Sequence, residues 1–451
     1  MISMRLSEAA KEVNGKFSGE DVFFNGCSTD TRTLDHGNLF IALQGEHFDG
    51  HSFIASASKR GAVAAMVESD NAATMLPLLT IEDSVQAMGI LAKYWRSKFD
   101  IPLLAITGSN GKTTVKEMVK SILELKAGVL STKGNLNNHI GVPLTLLNLG
   151  SEHEYGVVEM GANHPGEIEW LSQLARPTIA LITQCAPAHL EGFGSEDGVA
   201  NAKAEVFTGL CDNGIAIVNA DDKYAESWKS VAEKYRKISF GLEKTADITA
   251  TKITFSMNTG KTSFSMHFPD DTISISIPLV GIHNVQNSIA AAACCLAIGI
   301  PILDVKEGLE KMHYIRGRMQ MFNISDGSRV FDDTYNANPA SLKAALRVIS
   351  SYKGDKSLVL GEMRELGEGS EKYHEYAGEL ARLHGIRKLY AYGDLTRHTV
   401  RSFGSGAMHF TSKKDLISEI KQDLKSKATI LVKGSRMMGM ESIVQALKSE
   451  D

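Results

Sequence analysis

The stretch Ile106-Thr107-Gly108-Ser109-Asn110-Gly111-Lys112-Thr113-Thr114 decides how the rest of the chain is interpreted. An apolar run from Leu103 to Ile106 precedes it, and residues 115–125 after it are apolar at helical spacing. This order predicts a strand, a glycine loop and a helix. The backbone N–H groups of such a loop can surround phosphate oxygens, helped by the positive end of the helix dipole. The stretch therefore predicts nucleotide binding, although its Gly-x-x-Gly-Lys-Thr spacing is shorter than the common phosphate-loop pattern.

Two side-chain types in this loop carry specific chemistry. Lys112 offers a positive charge for the terminal phosphates, and a Thr hydroxyl can bind Mg²⁺. The alternative is a Gly/Ser/Asn turn that binds no phosphate. A lysine followed by two threonines at the start of a helix disfavours that alternative.

Composition indicates an ordinary globular protein. The chain has 451 residues, 43% of them hydrophobic and 22% charged, which is enough for about three domains. The formal net charge of −5 gives no reason to expect nucleic acid, and it argues against an anionic membrane surface. No apolar run is long enough to predict membrane insertion, and the first residues lack an apolar signal core. The five cysteines are an odd number without a Cys-x-x-Cys pair, so we expect reduced thiols and a cytoplasmic location. Separately, we expect a monomer, although no sequence feature fixes the oligomeric state.

The pattern of strands and helices predicts an α/β protein of three domains. Residues 1–100 form a small α/β domain, and a linker falls at Phe99-Asp100-Ile101-Pro102. Residues 101–313 alternate strands and helices, as parallel-sheet phosphate-loop domains do, and residues 248–279 add a period-two pattern typical of an antiparallel hairpin or meander. Residues 314–451 alternate again and predict a doubly wound, Rossmann-like sheet.

A polar cluster follows the second strand-like stretch of the first domain. It consists of Ser28, Thr29, Asp30 and Arg32. Such a cluster could hold a ribose, a uracil edge or a phosphate. A turn closed by a surface Asp–Arg pair explains the same residues equally well.

Two candidate metal ligands follow strands of the central domain. Glu159 ends the strand-like run 156–160, and His189 follows the run 178–182 and a short loop. Since parallel strands end at one edge of the sheet, both side chains are expected beside the phosphate loop, where they could hold divalent ions against phosphates. Lys203, in a predicted helix close to Glu205, has the pattern of an ordinary surface lysine.

The third domain begins with two further groups of polar residues. Asp332, Asp333, Tyr335, Asn336 and Asn338 lie between a strand and a helix that Pro339 can start. They could meet a ribose or a phosphate, because a helix cap explains at most one of them. Earlier, the pair Arg316 and Arg318 flanks Gly317; it could reach the nucleotide or form a plain basic surface.

Taken together, these motifs resemble the Mur ligases, the ATP-dependent amide-forming enzymes of peptidoglycan precursor synthesis. The matching stretches run in order over nearly the whole chain: Thr-Gly-Ser-Asn-Gly-Lys-Thr-Thr, Glu159 with Met-Gly-Ala, Ala188-His189-Leu190, Ala202-Lys203-x-Glu205 and His283-Asn284-x-x-Asn287. Four more stretches are similar to the branch that joins D-alanyl-D-alanine to UDP-N-acetylmuramoyl-tripeptide. These are Ser-Thr-Asp-Thr-Arg with Leu39-Phe-Ile-Ala-Leu-Gln-Gly-Glu-His-Phe-Asp-Gly, Gly134-Asn-Leu-Asn-Asn-His-Ile-Gly-Val-Pro, Asp332-Asp-Thr-Tyr-Asn-Ala-Asn-Pro and Leu360-Gly-Glu-Met-Arg-Glu-Leu-Gly.

The resemblance implies a role for each matching position, with ATP and Mg²⁺ as cofactors and those two compounds as substrates. The first domain would hold the uridine end of the substrate through Ser28, Thr29, Asp30 and Arg32, and Asn137 and Asn138 would lie near the substrate. Gly108, Ser109, Asn110, Gly111, Lys112, Thr113 and Thr114 would hold the ATP phosphates. Thr113, Glu159, His189 and a carbamylated Lys203 would serve two Mg²⁺ ions, while Asn287 would contact adenine and Arg318 and Asp332 would contact ATP. Lys112, Glu159, His189 and Lys203 would form the catalytic set.

Three alternatives remain at this point. One is the tripeptide-forming ligase of the same family, which the lack of an Asp-Asn-Pro-Arg motif disfavours. Another is a folylpolyglutamate-type ligase, which the uridine-type first domain disfavours. The third is a nucleotide-binding regulatory protein without ligase activity, although such a protein has no need for a second metal site. One departure from the family pattern concerns Gln44, which stands where many relatives have lysine.

Overall fold

We describe a computed structural model of the chain over residues 1–45, 48–69, 74–187, 189–257, 259–324, 327–423 and 427–448. Glu46 and His47 of the first-domain motif and Ala188 of the Ala-His-Leu motif lie outside the described residues. Helices and strands alternate along most of the chain, and the predicted α/β class is confirmed.

The first domain is a small α/β unit around a five-stranded sheet of order β2-β9-β8-β5-β4, with β1 and β3 pairing beside it. In this sheet β4, β5, β8 and β9 run parallel and β2 pairs antiparallel at the edge. The strands are β1 (Ser3–Arg5), β2 (Lys16–Ser18), β3 (Phe23–Asn25), β4 (Cys27–Ser28), β5 (Leu39–Ile41), β6 (Gln44–Gly45), β7 (Phe48–Asp49), β8 (Ala64–Val67) and β9 (Leu78–Thr80); the helices are α1 (Leu6–Glu12), α2 (Ile54–Lys59), α3 (Ser84–Arg96) and a 3₁₀ turn at Gly50–Phe53.

The central domain is built on a fully parallel six-stranded sheet of order β11-β12-β10-β13-β14-β15. The predicted antiparallel addition is a three-stranded meander, β16-β17-β18. The strands are β10 (Leu103–Thr107), β11 (Gly128–Ser131), β12 (His153–Glu159), β13 (Ile179–Ile182), β14 (Ile215–Asn219), β15 (Arg236–Phe240), β16 (Thr249–Ser256), β17 (Lys261–His267) and β18 (Thr272–Ile277). The helices are α4 (Lys112–Leu123), α5 (Gly141–Leu147), α6 (Glu167–Ala175), α7 (Leu190–Phe193), α8 (Glu196–Ala204), α9 (Ala225–Val231), α10 (Ile282–Ala297), α11 (Ile302–Lys311) and a 3₁₀ turn at Glu205–Phe207.

The third domain has a six-stranded sheet of order β19-β20-β24-β21-β22-β23, parallel except for β19 at its edge. This is the predicted doubly wound arrangement with one added antiparallel strand. The strands are β19 (Gln320–Asn323), β20 (Arg329–Asp333), β21 (Lys356–Gly361), β22 (Lys388–Tyr392), β23 (Ala407–Phe410) and β24 (Thr429–Lys433). The helices are α12 (Pro339–Ser350), α13 (Ser370–Leu383), α14 (Thr396–Phe403), α15 (Lys413–Asp423), α16 (Glu441–Lys448) and 3₁₀ turns at Gly367–Gly369 and Arg436–Met438.

The first and central domains share one continuous apolar core. Leu91 of α3 belongs to the same buried cluster as Leu146 of α5 and Leu171 of α6. The Arg96 side chain at the end of α3 donates hydrogen bonds to the carbonyl oxygens of Phe99, Ile101 and Ala175, which ties the predicted linker down on both sides. The third domain has two apolar clusters around its own sheet, one of which also takes in Val280 of the central domain.

Within the described parts of the chain, no helix combines the length and the apolar composition needed to cross a bilayer.

Candidate active site

The phosphate loop joins β10 to α4 at the carboxyl edge of the central sheet. Its strand lies between β12 and β13, where the order of strands reverses, which is the place where open α/β sheets bind ligands. The loop is braced against the segment after β13: the backbone N–H of Ser109 donates to the Gln184 carbonyl oxygen at 2.9 Å, and the Thr183 hydroxyl donates to the Asn110 carbonyl oxygen at 2.6 Å. The predicted strand, loop and helix are therefore present and held in place.

The two glycines of the loop are required by its shape. Gly108 and Gly111 have φ angles of +142° and +86°, which L side chains rarely adopt. A Cβ atom on Gly108 would lie 1.9 Å from the Thr183 hydroxyl oxygen, and one on Gly111 would lie 2.6 Å from Asn287 Oδ1. The second contact also places the predicted adenine ligand Asn287 directly beside the loop.

The Lys112 side chain folds back over the phosphate loop. Its Nζ donates a hydrogen bond to the Gly108 carbonyl oxygen at 2.7 Å. Burial lowers the pKa of Lys112, while the nearby Glu159 carboxylate opposes that change and Arg318 reinforces it. An anionic ligand in the loop would stabilise the charged form of this ammonium group.

Glu159, at the end of β12, is buried and hydrogen-bonded through both oxygens. Its Oε2 accepts from the Thr113 hydroxyl at 2.9 Å, and its Oε1 accepts from Asn137 Nδ2 at 2.8 Å. The described residues contain no group of three or more His, Cys, Asp or Glu side chains that could hold a metal alone. A carboxylate and a hydroxyl still suit Mg²⁺, which commonly binds one or two carboxylates together with substrate phosphates.

Glu159, His189 and Lys203 line one cavity of about 340 Å³ together with Lys112. Lys203, 1% exposed at the end of α8, lies 5.5 Å from the centre of the Phe193 ring. Burial, reinforced by the charge of Lys112, lowers the pKa of Lys203 to about 7. The pattern of a solvated surface lysine is thus misleading at this position, because the side chain points into the site.

His189 connects the central domain to the third. It has a φ of +52°, and its Nδ1 lies 2.8 Å from Oε2 of Glu365, which has a φ of +65°. The contact with Glu365 thus involves Nδ1, one of the two ring nitrogens through which His189, a predicted metal ligand, could bind a cation. The hydrogen bond with His189 lowers the pKa of the Glu365 carboxyl group.

The third domain closes the cavity from the other side. Arg318 Nη2 lies 3.3 Å from the Thr113 hydroxyl oxygen, and Asn338 Nδ2 donates to Asn110 Oδ1 at 2.9 Å. Asn338 also caps α12 with a capping box: its Oδ1 accepts a hydrogen bond from the Ser341 backbone N–H, and its own backbone N–H donates to the Ser341 hydroxyl, while Nδ2 stays directed to Asn110. Asn338 of the motif around Asp332 and Arg318 of the Arg316–Arg318 pair therefore reach the phosphate loop. This agrees with the interpretation that these groups approach a nucleotide, and not with a plain helix cap or a basic surface.

A second cavity of about 90 Å³ adjoins the loop on the side of α10. Thr114, Asn287 and Arg318 line it, as expected for a nucleotide pocket. The remaining wall includes Phe240 and Lys433, to which the sequence motifs gave no role, together with His283 and Asp333, which lie within two of the motifs.

Asp332 differs from the sequence-based expectation. It lies outside both cavities, and its Oδ1 accepts hydrogen bonds from the backbone and hydroxyl of Thr334. Its neighbour Asp333 lines the second cavity and pairs with Lys433 Nζ at 2.5 Å. Adjacent residues of β20 point to opposite faces of the sheet, and it is Asp333 whose side chain faces the second cavity, while the ATP contact of Asp332 stays a prediction.

The first-domain cluster forms a compact unit of its own. Both carboxylate oxygens of Asp30 accept hydrogen bonds from the Arg32 guanidinium, at 3.0 Å and 2.7 Å, and these bonds lower the pKa of Asp30. The Ser28 hydroxyl donates to the Asp30 carbonyl oxygen at 2.9 Å, and Thr29 lies between them in the chain. None of these four residues lines the two cavities at the phosphate loop.

The last two predicted substrate contacts lie in the segment before α5. Asn137 and Asn138 both line the larger cavity. Asn137 holds Glu159, and Asn138 Oδ1 accepts hydrogen bonds from the backbone N–H groups of Ile140 and Gly141. Both side chains thus have structural partners, and both remain accessible from the cavity.

Known proteins share the sequence and the architecture. Three Mur ligase profiles match the chain in order: the family's catalytic domain over residues 24–96, its middle domain over 106–295 and its glutamate ligase domain over 317–436. The UDP-N-acetylmuramoyl-tripeptide–D-alanyl-D-alanine ligase of Escherichia coli is 41% identical over 99% of each chain.

Solved structures agree with this match. A crystal structure of MurF from Acinetobacter baumannii superposes with a TM-score of 0.93 at 34% identity, covering 100% of this chain and 99% of that one. The MurF ligase of Thermotoga maritima, solved in complex with ADP, gives a TM-score of 0.83 at 26% identity over 94% of this chain and 97% of that one. The chain belongs to the Mur ligase family.

Proposed function

We propose that this chain joins D-alanyl-D-alanine to UDP-N-acetylmuramoyl-tripeptide with the hydrolysis of ATP to ADP and phosphate. The observation that carries the proposal is the larger cavity, in which Lys112, Glu159 and Lys203 of the central domain face Arg318 and Asn338 of the third. Relatives that carry this name match the chain from end to end, which supports this branch of the family over the tripeptide-forming and folylpolyglutamate-type alternatives.

The first step brings two anions together. The carboxylate at the end of the tripeptide attacks the γ-phosphoryl group of ATP, giving an acyl phosphate and ADP. Cationic groups must offset the repulsion between carboxylate and triphosphate. In this chain Lys112 and Arg318 supply that charge from opposite sides of the loop, and the loop N–H groups at the start of α4 add the helix dipole.

Thr113 and Glu159 fit a divalent cation, with His189 and a carbamylated Lys203 as further ligands. Mg²⁺ held there would neutralise charge on the phosphate oxygens. A pKa of about 7 keeps a fraction of Lys203 in the neutral amine form that carbamylation requires.

The second step forms the amide. The amino group of D-alanyl-D-alanine attacks the acyl carbon, and phosphate leaves from the tetrahedral intermediate. Acyl phosphates hydrolyse in water, so the site must exclude solvent while the amine arrives. The bond between Asn338 and Asn110 and the His189–Glu365 pair hold the third domain over the cavity, which serves that need.

The uridine end of the substrate is assigned to the first domain. Ser28, Thr29, Asp30 and Arg32 form its polar contacts in this proposal, and Asn137 and Asn138 contact the portion nearer the reaction. Gln44 cannot offer the charge that lysine offers in many relatives, so the diphosphate contact there is a neutral hydrogen bond. The reaction consumes ATP, which places it in the cytoplasm, and we expect the protein to act as a monomer.

The decisive experiment measures phosphate release with each substrate omitted in turn. Release that needs both UDP-N-acetylmuramoyl-tripeptide and D-alanyl-D-alanine, with one amide formed per phosphate, supports the proposal. Release with neither substrate present would overturn the ligase assignment, and binding of ATP without turnover would favour a regulatory protein.

A further inference from the structure

Tyr335 lies at the boundary between the third domain and the phosphate loop. Its ring centre is 4.1 Å from the guanidinium carbon of Arg318, and its side chain lines the same cavity as Lys112 and Glu159. The mechanism above uses Arg318 and gives no role to the tyrosine that lies against it.

The backbone is arranged so that these two side chains meet. The backbone N–H of Tyr335 donates to the Gly317 carbonyl oxygen at 3.1 Å, one residue before Arg318. Gly317 has a φ of +72°, and a Cβ atom there would lie 3.0 Å from the Tyr335 nitrogen and 3.3 Å from the Tyr335 Cβ. A glycine between the two arginines therefore permits the close approach of the two segments.

Stacking suits an arginine that has to bind phosphate. A guanidinium that lies face-on against an aromatic ring keeps all its N–H groups in plane and free for oxygen ligands. One of these groups reaches the Thr113 hydroxyl at 3.3 Å. Among the described residues, Arg318 Nε has no hydrogen-bond partner although it is buried, so a donor remains available inside the site.

We propose that Tyr335 is a positioning residue whose ring holds the Arg318 guanidinium against the phosphate loop during phosphoryl transfer. This inference rests on the proposed function. The ring acts through Arg318 and does not itself touch the reacting atoms.

The phenol of Tyr335 is held in its neutral form. Burial raises the pKa of Tyr335, and the negative charge of Glu159 adds to the rise, while Arg318 and contact with Thr113 oppose it. The phenol thus stays neutral at physiological pH, and the aromatic face is the part that interacts with the cation.

A double-mutant cycle tests the inference. Amide formation is measured for the wild type, Tyr335→Phe, Tyr335→Leu, Arg318→Ala and the double variant Arg318→Ala/Tyr335→Leu, in single-turnover assays with excess enzyme and labelled D-alanyl-D-alanine. We expect Tyr335→Leu to lower the rate of amide formation roughly tenfold when Arg318 is present. In the Arg318→Ala protein the same change should lower the rate by less than about twofold. Tyr335→Phe keeps the ring and should restore the rate to within about threefold of the wild type.

Tyr392→Leu is the matched control, because Tyr392 lies in the same domain with Lys413 Nζ 5.5 Å from its ring centre and lines neither cavity. The inference would be overturned if Tyr335→Leu lowered the rate of amide formation by the same factor with and without Arg318. It would also be overturned if Tyr392→Leu lowered the rate as much as Tyr335→Leu does. A loss from Tyr335→Phe as large as that from Tyr335→Leu would overturn it too. A wild type that forms no amide would instead refute the proposed function.

Discussion

Lys112 is the residue on which the phosphate loop depends most for charge. Its ammonium group lies over the loop and is bonded to the Gly108 carbonyl oxygen. The variant Lys112→Ala removes the charge that offsets the repulsion between carboxylate and triphosphate. We expect phosphate release to fall at least about a hundredfold, since preorganised charges contribute this much to transition states.

Binding of the UDP-linked substrate to Lys112→Ala should stay near that of the wild type, because the first-domain cluster does not involve the loop. Calorimetric titration measures this directly. Lys120→Ala on the same helix is the control, as that lysine pairs with Glu124 at 3.5 Å on the solvent side. Equal losses in the two variants would contradict the role given to Lys112.

His283 makes stability depend on pH. Burial lowers its pKa from 6.5 to about 4, with Asp333 opposing and Lys433 adding to the change. Between pH 6.5 and 4 the unfolded chain therefore binds more protons than the folded one, and the free energy of unfolding falls as the pH drops through this window. The loss is on the order of 2 kcal/mol, since the ring keeps part of its surface exposed.

Urea unfolding of the wild type and of His283→Gln at pH 6.5 and pH 4.5 measures this contribution. The wild type should lose more stability between the two pH values than the variant does. Parallel losses would show that His283 titrates in the folded protein as it does in the unfolded chain.

At the residue scale, the motifs identified candidate side chains for the site, but they did not predict which way those side chains point. Lys203 looks like a surface lysine in its helix, and only packing against Phe193 shows that it is buried. The choice between Asp332 and Asp333 depends on which face of β20 meets the central domain. Alternation along a strand shows that the two differ, but it does not say which one faces the site.

At the scale of elements, α4 is fixed by a close contact with α11. A Cβ atom on Gly308 would lie 2.4 Å from the Cα of Ile122, so the two helices approach at a glycine. On a solvent-exposed helix face, Gly308→Ala would stabilise the protein by about 1 kcal/mol, because alanine has a higher helix propensity than glycine. Here we expect it to destabilise the protein by about 1–3 kcal/mol, because the backbone of α4 has to move.

Chemical unfolding and nucleotide affinity together test this prediction, since a displaced α4 carries Lys112 and Thr113 with it. Leu303→Ala on α11 is the control, because that side chain is 71% exposed. A more stable Gly308→Ala variant with normal nucleotide affinity would show that the helices can separate at little cost.

Most element types followed from the sequence because apolar periodicity is local. The meander β16-β17-β18 and four strands of the third domain, β20, β21, β22 and β24, coincide with period-two and apolar runs, whereas β19 and β23 were not predicted. The order of strands within the parallel sheets, such as β10 between β12 and β13, depends on contacts between distant segments, which periodicity does not encode.

At the scale of the whole molecule, the three regions form two packing units. The buried cluster that contains Leu91 of the first domain extends into the central domain, whereas Leu389 belongs to a cluster of the third. Polar contacts at the phosphate loop, such as the bond from Asn338 to Asn110, and the burial of Val280 in the third-domain cluster join the two units.

Calorimetry should therefore show two unfolding transitions rather than three. Leu91→Ala, at a cost of about 3 kcal/mol, should shift one transition in which the first and central domains unfold together. Leu389→Ala should shift the other. A separate transition of the first domain alone would contradict the idea of a shared core.

By itself, the sequence determined the α/β class, the order of the elements, the phosphate loop and the family, because these reside in local periodicity and in short motifs of fixed chemistry. The tertiary structure alone decided that Asp333 rather than Asp332 faces the second cavity beside the phosphate loop, that Lys203 is buried, that the Arg318 guanidinium lies over the Tyr335 ring and that the first two domains share a core. Each of these depends on which faces of distant elements pack together. That choice is made by the burial of apolar surface over the whole chain, and no single segment contains it.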